Sequence, residues 1–131
     1  MRELKTTVAD MVAARARIEE ISTNDAVAQF GDPELMLVDL RDPRERQREG
    51  FIPGSFHCRR GMLEFWVDPK SPYYKEVFGQ DKKFVFYCAS GWRSALSVAL
   101  LHDTGFKAAH LEDGFSDWKK SGGPVELPTQ K

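Results

Sequence analysis

The chain is predicted to fold as an α/β domain, with a mainly parallel sheet and helices on both faces. Three observations predict this. Leu35-Met-Leu-Val-Asp-Leu40 and Phe84-Val-Phe-Tyr87 are nearly continuous apolar runs of strand length. Such runs suit strands covered on both faces, as in a parallel sheet. Helix-start signals follow each run, so strands and helices alternate along the chain.

The elements follow in order. Val8–Arg17 is expected to be a helix, with Val8, Met11 and Val12 on one face. Residues 1–17 would form an N-terminal helical arm, and residues 18–131 the main domain. Ile18–Ser22 reads as a short strand. Ser22-Thr-Asn-Asp25 then offers side-chain oxygens to the free N–H groups of a helix start, and Gly31 stops that helix. After the strand at Leu35–Leu40 comes Asp42-Pro43-Arg-Glu45. Asp42 can cap, Pro43 suits the first helical position, and Glu45 stands where a capping box places its acid. Gly50 ends this helix, and Ile52-Pro53-Gly54 is a turn.

Ser55–Cys58 reads as a short strand, and Gly61–Trp66 as one or two helical turns. Asp68–Tyr74 reads as an irregular loop. Phe84–Tyr87 is the second clear strand. Arg93–Thr104 is apolar almost all round and should be buried, with Gly105 at its end. Ala108–Leu111 is a third strand candidate, and Phe115–Lys120 a last helix closed by Gly122-Gly123-Pro124.

Composition narrows the function classes. A chain of 131 residues fits one domain, and one able to bury a core without disulfides. The net charge of −1 carries no nucleic-acid signature. No apolar run approaches a membrane span, so no membrane partner is expected. The first residues lack an apolar signal-peptide core, which makes a cytoplasmic location the expectation. The two cysteines, Cys58 and Cys88, make no paired zinc spacing with the three histidines, His57, His102 and His110. Both thiols are read as reduced, with no metal and no cofactor. The histidines are read as structural.

Cys88 carries the chemistry. It ends an apolar strand, and sites in parallel sheets lie beyond the carboxyl ends of strands. Ala89, Ser90, Gly91 and Trp92 must curl tightly before Arg93 and Ser94 open the next helix. Gly91 permits the unusual backbone angles such a curl requires. N–H groups of the loop and of the first helical turn lack backbone partners and converge on the space they surround. The result is an anion cradle with the Cys88 sulfur at its floor. That field favours a thiolate over a thiol, and hence a nucleophile for an anionic substrate. Arg93 either aids anion binding or braces the loop with a carboxylate. Asp39 ends a buried strand, where an unpaired charge is costly; it is read as a structural brace paired with Arg41, Arg93 or backbone N–H groups. Trp92 either lines the loop or forms an outward rim. Arg41, Arg44, Arg46, Arg48, Arg59 and Arg60 are read mostly as a solvated face. Cys58 is read as a small packing residue, with a resolving role as the alternative.

Cys88-Ala-Ser-Gly-Trp-Arg93-Ser94 resembles the active-site loop of the rhodanese family. Leu37-Val-Asp39-Leu-Arg41-Asp42, running to Gly50-Phe-Ile-Pro53-Gly54-Ser, resembles the family's upstream signature. Glu112-Asp-Gly114-Phe-Ser-Asp-Trp118 through Gly122-Gly-Pro-Val resembles its closing segment. Phe51 stands where many members have histidine, a change of packing rather than of chemistry. The resemblance implies a five-stranded sheet and sulfane-sulfur transfer through a Cys88 persulfide. The implied substrate-binding residues are Ala89, Ser90, Gly91, Trp92, Arg93 and Ser94, with Asp39 and Arg41 in support. The implied partners are a small anionic sulfur donor and a thiol or protein acceptor. Related phosphatases and arsenate reductases have a loop one residue longer, which rings a tetrahedral phosphate. The four residues between Cys88 and Arg93 favour sulfur transfer over that alternative. A non-catalytic binding module is a further rival, which the intact cysteine disfavours.

Overall fold

The computed structural model describes residues 2–13 and 17–128. Among them, a short helix α1 (Val8–Ala13) precedes β1 (Glu19–Ile21), α2 (Thr23–Ala28), β2 (Leu35–Asp39), α3 (Pro43–Glu49) and β3 (Phe56–His57). Then come α4 (Leu63–Val67), β4 (Lys83–Tyr87), α5 (Trp92–Asp103), β5 (Ala109–Leu111) and α6 (Gly114–Lys120). The strands form one five-stranded sheet in the order β1-β5-β4-β2-β3. Every strand pairing is parallel. No helix among the described residues is long and apolar enough to cross a membrane.

Local signals act as expected at two helix starts. Ser22 caps α2 by accepting a hydrogen bond from Asp25 N. Asp42 and Glu45 form the reciprocal capping box of α3, with Pro43 in its first turn. Ser55 N donates to Ile52 O and closes the Ile52–Ser55 turn. Two short 3-10 turns, Arg60–Met62 and Glu76–Gly79, flank the irregular segment around α4. The second has no local signature: Phe78 anchors it by ring contacts, edge-on to Phe56, tilted against Phe84 and stacked on Phe86. In α1, Val12 is buried while Val8 and Met11 are exposed, so less of the apolar face is covered than its spacing suggested. Residues 14–16 of the expected helix lie outside the described ones, and α1 ends at Ala13.

Successive residues of a strand point to opposite faces, so the sheet has a core on each side. Leu37, Val85, Tyr87, Ala109 and Leu111 pack with Ala26 of α2 and with Phe115 and Trp118 of α6. Val38, Phe84 and Phe86 pack with Leu63 and Val67 of α4 and with Val98 and Leu101 of α5. A fully buried apolar side chain of this size stabilises the fold by about 1.5–3 kcal/mol. The central strand β4 therefore sits between two cores, and its carboxyl end is held firmly. That is where Cys88 lies.

Candidate active site

Cys88 follows β4 directly and is fully buried. Gly91 N lies 3.1 Å from its Sγ, and Ser94 N lies 3.4 Å from it. Both N–H groups donate toward the sulfur. Gly91 is the N-cap of α5 and has a left-handed φ of 100°, which lets the chain double back over the thiol. A Cβ there would collide with the Glu112 carbonyl oxygen. The loop thus curls as its composition requires, and the Glu112 carbonyl, just past β5, marks the limit of its width.

The far side of the loop is fastened to α6. Phe115 N donates to Cys88 O at 2.8 Å, and Ser116 N donates to Ala89 O at 3.0 Å. The first turn of α6 thus satisfies two loop carbonyls with its own free N–H groups. Gly114, at φ 72°, makes this approach feasible: a Cβ there would stand 2.7 Å from Cys88 O. With their carbonyls committed to α6, Cys88 and Ala89 leave the inner side of the loop to N–H groups.

Arg93 points at Glu45. Its Nη1 and Nη2 donate to Glu45 Oε2 and Oε1 at 2.8 and 2.7 Å. The Arg93 fork holds the Glu45 carboxyl down at about 2, and the same contact raises the guanidinium further above its ordinary value. This pair braces the start of α5 against α3. Trp92 is half exposed and forms an outward rim. Ser90 is exposed at the loop tip, Ala89 is partly covered, and Ser94 is fully buried.

Asp39 ends β2 with no exposure and collects two arginines. Arg41 Nε and Nη2 donate to its two oxygens at 3.0 and 2.9 Å, and Arg46 Nη1 donates to Oδ2 at 2.8 Å. Burial pushes the Asp39 carboxyl up, but the Arg41 fork and Arg46 outweigh it and hold the group below its usual range. Arg41 also donates to Gly50 O at 2.8 Å, and its guanidinium lies 4.2 Å from the Phe115 ring centroid. This cluster joins β2, α3 and α6 behind the Cys88 loop. Phe51 pairs with Glu126 across an antiparallel bridge, with Arg46 over its ring at 4.1 Å. Tyr87 accepts from Ile52 N at 3.2 Å, and burial pushes its phenol up to about 12.

Cys58 has different surroundings. It is fully buried among apolar residues, and burial pushes its thiol up to about 12. His57 Nε2 lies 2.6 Å from Arg41 O, and His102 is exposed on α5. His110, read from the sequence as structural, is fully buried, and its ring reaches Ser94. No local pattern could have marked it, because its partners lie far away in the chain.

Comparison with known proteins agrees with this architecture. The chain is 36% identical over 103 residues to the Bacillus subtilis (strain 168) protein named "Putative sulfurtransferase YtwF", covering 78% of this chain and 91% of that one. It is 33% identical over 125 residues to the dual specificity phosphatase Cdc25 of Arabidopsis thaliana, covering 88% of this chain and 82% of that one. Among solved structures, a Rhodopseudomonas palustris CGA009 protein of unknown function, described as a possible tyrosine phosphatase, superposes with a TM-score of 0.93. It is 50% identical and covers 96% of this chain and 98% of that one. The model of the rhodanese-like domain matches residues 22–121. With the parallel five-stranded sheet and the cysteine loop at the end of its central strand, this chain belongs to the rhodanese-like domain family.

Proposed function

We propose that the protein is a sulfurtransferase that carries sulfane sulfur on Cys88. The observation that supports this reading most is the four-residue loop whose Gly91 and Ser94 N–H groups close on Sγ at 3.1 and 3.4 Å. These donors favour negative charge on sulfur, as an oxyanion hole does on oxygen. The Cys88 thiolate attacks the outer sulfur of a donor such as thiosulfate. An S–S bond forms to Cys88, the donor's S–S bond breaks, and sulfite leaves with the electron pair. The negative charge then rests on the outer sulfur of the persulfide, within the same loop. A thiolate or other thiophilic acceptor attacks that sulfur, and Cys88 leaves as the thiolate. Atoms and charge balance in both steps.

Phosphatase chemistry is the second reading, favoured by the names of two of the similar proteins. The Arg93–Glu45 pair weighs against it. A phosphate ester needs a cation facing its equatorial oxygens, and both outer nitrogens of Arg93 are already committed to Glu45. Intact mass after incubation with thiosulfate tests the two readings together. The parent protein is expected to gain one sulfur atom and Cys88→Ser none, with no Cys88-dependent turnover of aryl phosphates. Aryl phosphate turnover without sulfur uptake would reverse the order of the two readings.

A further inference from the structure

β5 carries one titratable side chain into the core. His110 Nδ1 lies 2.9 Å from Ser94 Oγ, and Nε2 lies 2.9 Å from Glu20 Oε2. Glu20 and His110 are register partners of the parallel pair β1–β5, so both side chains leave the sheet on the same face. Ser94 is one of the two residues whose N–H groups reach the Cys88 sulfur. Its Oγ also lies 3.6 Å from Sγ. Cys88, Ser94, His110 and Glu20 therefore form one continuous chain of polar contacts.

Donor and acceptor roles give that chain a direction. An ionised carboxylate only accepts, so Nε2 carries a proton toward Glu20. In a neutral imidazole Nδ1 is then the acceptor, and the Ser94 hydroxyl donates to it. The hydroxyl lone pairs are left to accept from the Cys88 S–H. Gly91 O, at 3.3 Å, is a longer alternative acceptor for the same hydroxyl.

We propose that His110, held by Glu20, is the base that takes the Cys88 proton through Ser94. The inference rests on the reading of Cys88 as the sulfur carrier and adds how its thiolate is made. The Cys88 S–H bond breaks and its proton passes to Ser94 Oγ. The Ser94 hydroxyl proton passes to His110 Nδ1. Each electron pair stays on its own atom, and nothing is oxidised. The imidazolium lies against the Glu20 carboxylate. The Ser94 hydroxyl now donates to the thiolate, alongside the N–H groups of Gly91 and Ser94. When Cys88 returns to the thiol, the proton runs back.

Burial makes such a relay useful. Cys88 has no exposed surface, so bulk water is a poor base for it. Glu20 is partly exposed, so the chain of contacts leads from the buried thiol toward solvent. Among the described residues, those that face His110 include Glu20 from β1, Ser94 from α5 with Cys88 beyond it, and the apolar Phe86, its register partner on β4. His110 acts through Ser94, so it is a positioning residue rather than one that touches substrate.

The test uses the full chain in a Cys58→Ser background, with two readouts. One is the pH–rate profile of sulfur transfer from thiosulfate to cyanide. The other is the ultraviolet absorbance of the Cys88 thiolate. His110→Gln is expected to lose about tenfold or more of the rate near neutral pH. The loss should close in alkaline buffer, where the thiol ionises without a base, and thiolate absorbance should follow the same course. Glu20→Gln keeps a hydrogen bond but not the charge, and should show a smaller loss with the same pH dependence. A residue that only packs lowers the rate by one factor at every pH and leaves the absorbance profile unmoved. That result in a folded His110→Gln overturns the relay. If His110→Gln does not fold, Glu20→Gln decides by the same criteria. If the unaltered protein takes up no sulfur, the sulfur-carrier reading fails, and the thiolate titration still decides the relay.

Discussion

Arg93 of α5 and Glu45 of α3 form a two-point ion pair, at 2.8 and 2.7 Å, that ties the start of one helix to the start of another. Glu45 also accepts from Asp42 N at 3.1 Å within the capping box. One carboxylate therefore caps α3 and braces the Cys88 loop.

Glu45→Gln is expected to lower stability at neutral pH by about 1 kcal/mol, a figure already discounted for the pair's partial exposure. The Glu45 carboxyl is depressed from 4.5 to about 2, so its contribution is fully present above pH 4.5 and is lost as pH falls toward 2. Urea midpoints of parent and variant should converge across that window. A gap that persists unchanged at the acid end would place the effect elsewhere. Arg93→Lys should rescue little, because a single ammonium cannot reproduce the fork.

The two thiols should part sharply. Cys88→Ser is expected to abolish transfer from thiosulfate to cyanide, whereas Cys58→Ser should keep most of it. Burial pushes Cys58 up to about 12, so iodoacetamide should leave it unmodified in the folded protein at neutral pH. Peptide mapping after alkylation checks this. Equal loss of activity in two folded variants would point to a mechanism that uses both cysteines.

Asp39→Asn should be the most damaging of the supporting substitutions. It leaves the buried Arg41 guanidinium without its carboxylate, a kind of loss that costs about 3–5 kcal/mol. The Asp39 carboxyl is held below its usual range, so its contribution is present at neutral pH and fades in acid, below the ordinary carboxylate value. Thermal melts at neutral and acid pH check both the size and the sign. A variant as stable as the parent would mean that the cluster contributes nothing net.

Gly114→Ala tests the fastening of the loop. The added Cβ would meet Cys88 O at 2.7 Å and hold a left-handed φ of 72° that alanine disfavours. The expected outcome is loss of most sulfur uptake with the fold retained, read by intact mass and circular dichroism. Full uptake in this variant would show that α6 need not hold the Cys88 and Ala89 carbonyls.

Much of the fold was legible because its signals are local. Asp42-Pro43-Arg-Glu45 specifies a helix start through contacts no more than three residues apart, and the capping box forms as its spacing implies. Leu35–Asp39 and Lys83–Tyr87 advertise burial on both faces by their composition, and they lie side by side at the centre of the sheet. Cys88, Gly91 and Ser94 lie within seven residues of one another, so the loop was readable as a unit. The 3-10 turn at Glu76–Gly79 was not, because tertiary ring contacts of Phe78 with Phe56, Phe84 and Phe86 hold it.

By itself, the sequence determined an α/β chain with a mainly parallel sheet, a cysteine at the end of an apolar strand and a short glycine-bearing loop leading into a helix. Those properties depend on hydrophobic period, capping and backbone freedom, which act over a few residues. Only the tertiary structure decided what Arg93 does, because Glu45 lies 48 positions away and reaches it across the gap between two helices. Likewise only the packing of β1 against β5 set Glu20 beside His110, and only α5 laid over that face brought Ser94 to the ring. A buried polar group must find a partner wherever the folded chain supplies one, and for His110 those partners come from 16 and 90 positions away.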